Sequence, residues 1–128
     1  MSLHTTIHLH NVPAGREGDY AAWFDGPHRD DLARLRGFRS ADRYAITSQQ
    51  IMPDIPQPWR FLSVYEHDTA TPEIDLPALA PLLAQARDAG LIDDSDESER
   101  IHSYAMYADW AFSPNHRADQ PFSGVSII

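Results

Sequence analysis

Hydrophobic and polar positions alternate from Leu3 to Val12 without Gly or Pro, which predicts a first strand. Ile7 and Leu9 fall on one side of it; Thr6, His8 and His10 fall on the other. Pro13-Ala14-Gly15 reads as a turn, after which the period lengthens to that of a helix starting near Arg16 or Glu17. Projected at about 100° per residue, Tyr20, Trp23, Phe24, Pro27, His28, Asp31, Leu32 and Leu35 share one broad face, with Asp25, Arg29 and Ala33 opposite. Pro27 has no N–H to donate, so the helix is expected to kink or restart there. Asp25 is placed to cap the second piece, with Pro27 in its first turn. Gly37 ends the segment as a C′ glycine.

A second strand is expected over Phe38 to Gln50, with Phe38, Tyr44 and Ile46 on one face and Ala41 and Ala45 on the other. Three prolines between Met52 and Pro58 make a stiff loop. Trp59 to His67 reads as a third strand, apolar on both faces, with Phe61 and Tyr65 against Leu62 and Val64. Such a strand must be covered on both sides. Thr69 to Asp75 reads as a loop and Leu76 to Ala89 as a second helix. Leu79, Leu82, Leu83 and Ala86 form its stripe and Gly90 its stop. The acidic run Asp93 to Glu99 reads as a solvated loop and Arg100 to Phe112 as a fourth strand, with residues 113–128 as an irregular tail.

The order strand, helix, strand, strand, helix, strand is the split pattern of a ferredoxin-like α+β domain. It implies a four-stranded antiparallel sheet with two helices on one face, spanning residues 1–112. Two helices cover only one face of such a sheet. The other face also carries large apolar residues, and a second copy of the chain is the simplest cover, giving a homodimer.

Composition narrows the classes. The 128 residues, 42% hydrophobic and 23% charged, suit one domain with one core. Ten basic against nineteen acidic residues, a net charge of −9, argue against nucleic acid as a partner. Cysteine is absent, which removes disulfides, thiol nucleophiles and Cys-based zinc sites. No apolar run is long enough to span a bilayer and no signal peptide is evident, so a cytoplasmic location away from membranes is expected.

His28 with Asp31, at i, i+3 on the inward face, is the leading candidate for chemistry. An imidazole oriented by a carboxylate can move a proton at neutral pH. The competing reading is a buried histidine bonded for structure alone. His8 and His10 share a strand face and are expected to line a pocket. Their spacing alone is weak grounds for a metal, and neither metal nor cofactor is expected. Trp23, Phe24, Tyr44, Tyr65 and Tyr104 give aromatic walls suited to a flat ligand, and Arg43 could clamp a ligand carboxylate or equally pair with Asp42 or Glu66.

Several runs also carry a likeness. Gly15-Arg16-Glu17, Trp23-Phe24-Asp25, His28-x-x-Asp31, Gly37-Phe38-x-Ser40-Ala41-x-Arg43 and Trp59-Arg60-Phe61-Leu62-x-Val64-Tyr65-Glu66 together resemble the EthD-like and related branches of the dimeric α/β-barrel superfamily. The likeness covers roughly residues 5 to 112. Gly26-Pro27 stands where those branches carry an acidic and an aliphatic residue. The resemblance implies a dimer, a pocket between each sheet and its helices, and His28 at the motif histidine. That superfamily holds isomerases, cyclases, cofactor-free and haem-degrading monooxygenases, and proteins of unknown role.

These readings converge on a small dimeric enzyme of isomerase, cyclase or lyase type, acting on a hydrophobic, aromatic or polyketide-like molecule by acid–base chemistry. The alternatives are a cofactor-free or haem-dependent monooxygenase, and a non-catalytic ligand-binding or stress-associated dimer.

Overall fold

A computed structural model describes residues 2–93 and 99–105. Strands β1 (Ser2–His10), β2 (Phe38–Ala45), β3 (Phe61–Thr69) and β4 (Glu99–Ala105) form one antiparallel sheet in the order β2-β3-β1-β4. The first helical arm runs through α1 (Glu17–Trp23), a π-helical turn (Phe24–His28) and α2 (Arg29–Leu32). The second runs through α3 (Pro72–Asp75), a 3₁₀ turn (Pro77–Leu79) and α4 (Ala80–Asp88). This is the ferredoxin-like arrangement expected from the element order. The expected continuation of the last strand to Phe112 and the tail lie outside the described residues.

The first arm shows how sequence shapes the site. Tyr20, Phe24, His28 and Leu32 are buried, each four residues after the last. In a straight α-helix a four-residue step drifts by about 40°, so such a row would wind off one face. The wider π turn offsets the drift between Phe24 and His28. Pro27, inside that turn, cannot donate the regular α-helical hydrogen bond, which is where helices widen or bend. The expected Asp25 cap does not form, because its carboxylate is taken by Arg43 at 3.0 and 2.8 Å.

Other departures have local causes. β2 ends at Ala45 rather than Gln50, because the Gln49 N–H and the Gln50 side chain turn back to bond Thr47. A bulge between Phe38 and Ser40 shifts the strand by one residue. Phe38 consequently faces the helices beside His67, and Tyr44, expected on the same face as Phe38, points the other way. The expected loop before the second arm contains α3, started by Pro72 in its first turn. The Asp75 carboxylate accepts from Thr69, from Thr71 at 3.0 Å and from Arg36 at 2.8 Å.

Between helices and sheet sits a core of Val12, Tyr20, Phe24, Leu32, Ala41, Tyr65, Leu79, Leu83, Ala86, Leu91 and Ile92. The second arm closes as its sequence predicts. Gly90, at φ +72°, donates to Arg87 O at 3.0 Å while Leu91 N–H reaches Ala86 O at 2.9 Å, a Schellman cap. No helix among the described residues is long and apolar enough to cross a membrane.

Candidate functional site

A sheet covered on one side by helices is expected to turn its apolar face inward. Here the two central strands do the reverse. The inward row of β1 is His4, Thr6, His8 and His10, and the facing row of β3 is Ser63, Tyr65, His67 and Thr69, all buried. Antiparallel register pairs His4 with His67, Thr6 with Tyr65 and His8 with Ser63. The result is a continuous polar wall beneath the helical arms. The opposite face carries Ile7, Leu9, Leu62 and Val64 around an open groove of about 640 Å³.

Three hydrogen-bonded groups organise the wall. His28 Nε2 lies 2.9 Å from the Tyr65 hydroxyl, with the Trp23 ring stacked on the imidazole at 4.1 Å and Phe24 tilted beside it at 5.1 Å. The Tyr20 hydroxyl lies 3.0 Å from His10 Nε2 and 3.1 Å from Ser63 Oγ. His8 Nε2 lies 2.5 Å from Glu99 Oε2, and Arg87 holds the same carboxylate at 2.9 and 2.6 Å. The His8 and His10 rings stack at 4.4 Å, linking the last two groups.

Electrostatics follow from burial. Removal from water, then the nearby His8, lowers His10 to about 3. Burial, followed by His8 and Arg29, lowers His28 to about 4. Burial lowers His67 as well. It raises Tyr20 to about 12 and carries Tyr65 well above the usual phenol range. Burial would raise Glu99 too, but the hydrogen bonds from His8 and Arg87 outweigh it and hold that carboxylate at about 2. At neutral pH His10 and His28 are uncharged, both tyrosines keep their protons, and Glu99 is ionised. Among the described residues, Nδ1 of His8, His10 and His28, and both ring nitrogens of His67, are buried without a hydrogen-bond partner.

The candidates chosen from sequence divide. His8, His10, Trp23, Phe24, His28 and Tyr65 come together at this wall. Asp31 does not join His28. Its carboxylate turns to Arg34 at 3.1 Å, because an i, i+3 arginine offers a charged partner at the protein surface. Tyr44 and Tyr104, 53% and 41% exposed, belong to the groove on the far side of the sheet. Arg43 is engaged by Asp25 on the same side as the helices. Glu99 was missed, since it closes an acidic run that reads as a solvated loop. Its signal was positional: it directly precedes the expected strand from Arg100, and it is the first residue of β4, the strand paired with β1. Among the described residues no three His, Cys, Asp or Glu side chains are grouped to hold a metal ion.

No protein-family model and no curated protein matches the chain. Solved structures do. SnoaB, described as a cofactor-independent oxygenase from Streptomyces nogalater, is 12% identical with a TM-score of 0.56, over 84% of this chain and 95% of its own. A ferredoxin-like protein of unknown function from Thermobifida fusca, described as dimeric, is 12% identical with a TM-score of 0.52, over 82% and 92%. An EthD family protein from Bacillus halodurans is 12% identical with a TM-score of 0.51, over 80% and 96%. The chain thus has the ferredoxin-like α+β fold of these proteins. Its polar wall is read from its own residues.

Proposed function

We propose that this protein is a small acid–base enzyme for a hydrophobic, aromatic molecule, working as a homodimer. The observation that carries the reading is the set of unpartnered nitrogens on His8, His10 and His28 beneath the helices. A buried polar atom left unpaired costs about 1–3 kcal/mol. Apolar side chains would serve a core better, whereas a ligand site needs such atoms.

His28 and Tyr65 are the pair best suited to hold the substrate's oxygen. His28 is uncharged at neutral pH and Tyr65 keeps its proton, so the pair can donate to a substrate oxygen or accept from it. Trp23 and Phe24 supply flat walls, and Tyr20 with His10 offers a second polar anchor. The wall lies buried under the first arm, whose π turn contains Pro27. The apolar groove on the opposite face suits a second copy packed sheet to sheet, an arrangement in keeping with the neighbour described as dimeric.

Two other readings have specific support. Likeness to a cofactor-independent oxygenase favours use of the same wall with dioxygen. The close packing of His28, 1% exposed under Trp23, favours a non-catalytic ligand-binding dimer. Incubating wild type and His28→Ala with hydroxylated polycyclic aromatics, starting from 2-naphthol, separates them by absorbance, dissolved oxygen and melting temperature. Conversion lost in a variant that melts normally supports the enzyme, and oxygen uptake would mark an oxygenase. A strongly lowered melting temperature, with no conversion by wild type, overturns the acid–base reading.

A further inference from the structure

Among the described residues, His8 is the imidazole that hydrogen-bonds a carboxylate. The contact joins residues 91 apart in sequence, at the start of β4 and the far end of β1. Glu99 is in turn held through two bonds by Arg87, in the last turn of α4 just before the Gly90 cap. The Glu99 carboxylate stays ionised and can only accept, so His8 donates its Nε2 proton to it. That bond sets the tautomer. In the neutral ring this leaves the lone pair on Nδ1, an atom buried without a partner among the described residues.

We propose that His8 is the base of the wall, with Nδ1 as the proton acceptor, and that Glu99 and Arg87 are its positioning residues. The proposal rests on the acid–base reading above. In the step it describes, Nδ1 takes the proton of a substrate hydroxyl. The electrons of the O–H bond stay on the oxygen, and the new imidazolium is balanced by Glu99. His8 sits opposite Ser63, one inward position along β3 from Tyr65, whose hydroxyl is bonded to His28. The proton then returns from Nδ1 to the product. The other titratable groups packed around His8 do not compete for the charge. His10 on β1 and His28 on the π turn are held uncharged, and Tyr20 on α1 keeps its proton. Glu99 thus does for His8 what the sequence suggested Asp31 would do for His28.

Imidazole ¹⁵N spectra of the full chain at pH 7.5, assigned with His8→Asn, test this without a substrate. His8 should carry its proton on Nε2 with Nδ1 bare. Glu99→Gln, which keeps the shape and removes the charge, should lose that preference, and Glu99→Asp should retain part of it. A His8 protonated on Nδ1 in wild type, or a spectrum unchanged in Glu99→Gln, overturns the proposal. With any aromatic that wild type converts, Glu99→Gln should lower kcat about a hundredfold with KM little changed. Unchanged kcat would also overturn it. A wild type that converts nothing, yet shows the expected tautomer, defeats the acid–base reading while supporting the His8–Glu99 pairing.

Discussion

The Tyr65 hydroxyl lies 2.9 Å from Nε2 of His28, and this contact ties the middle of β3 to the π turn of the first helical arm. Its two members stand 37 residues apart and both are buried. The Asp31 carboxylate, only three residues from His28, points instead to Arg34 at the surface. Proximity in sequence offered His28 a charged partner; packing supplied a neutral one.

Tyr65→Phe should therefore lower stability by about 1–3 kcal/mol, since it leaves His28 Nε2 buried without a partner. Asp31→Asn should cost less than about 1 kcal/mol, as expected for a pair at the surface. Thermal and urea unfolding of the two variants measure the difference. A larger loss in Asp31→Asn would contradict this account of the site.

Stability should fall as pH drops below 6.5. His10 and His28, at about 3 and about 4 in the fold, regain the ordinary value of 6.5 on unfolding. Between those values the unfolded chain binds more protons, so acid favours it, by up to about 1.4 kcal/mol per pH unit for each histidine. The contribution is fully present above 6.5. Glu99 adds a second loss as pH falls from its ordinary 4.5 towards about 2. Urea midpoints from pH 8 to pH 4 should show a plateau and then a decline, shallower in His28→Gln. A level profile down to pH 5 would show that these rings are not held uncharged.

Two glycines should respond oppositely to alanine. Gly37 sits at φ +82°, and an added Cβ would lie 2.9 Å from Asp68 O and 3.3 Å from Thr69 Cβ. Gly37→Ala should cost about 1–3 kcal/mol from strain at that backbone position. Gly18, within α1, has open space around it, so Gly18→Ala should stabilise by about 0.5–1 kcal/mol. Melting temperatures moving in opposite directions check the pair.

The apolar outer face leads to a prediction about assembly. If two copies pack through it, Leu62→Lys, in the lining of the groove, should give a monomer by sedimentation. Wild type should unfold at a midpoint that rises with protein concentration. A wild type that sediments as a monomer at micromolar concentration would remove the homodimer.

Much of the architecture was legible in local pattern. Alternation separated Ile7 and Leu9 from Thr6, His8 and His10, and the helical period placed Tyr20, Phe24, His28 and Leu32 within one broad face that the π turn then drew into line. The stops at Gly37 and Gly90 followed from the backbone freedom that only glycine has there. These features depend on neighbours a few residues away, so the sequence by itself determined them. It did not determine which strand face the helices would cover, because a period of two defines two faces without saying which is inside. Hydrophobicity alone would turn Ile7 and Leu9 inward, whereas the tertiary structure places the histidines there. The bulge after Phe38 and the π turn at Pro27 also shift faces in ways that a fixed period does not carry. The pairings of His28 with Tyr65 and of His8 with Glu99 join distant segments, and only strand register and helix docking bring those atoms within hydrogen-bond reach.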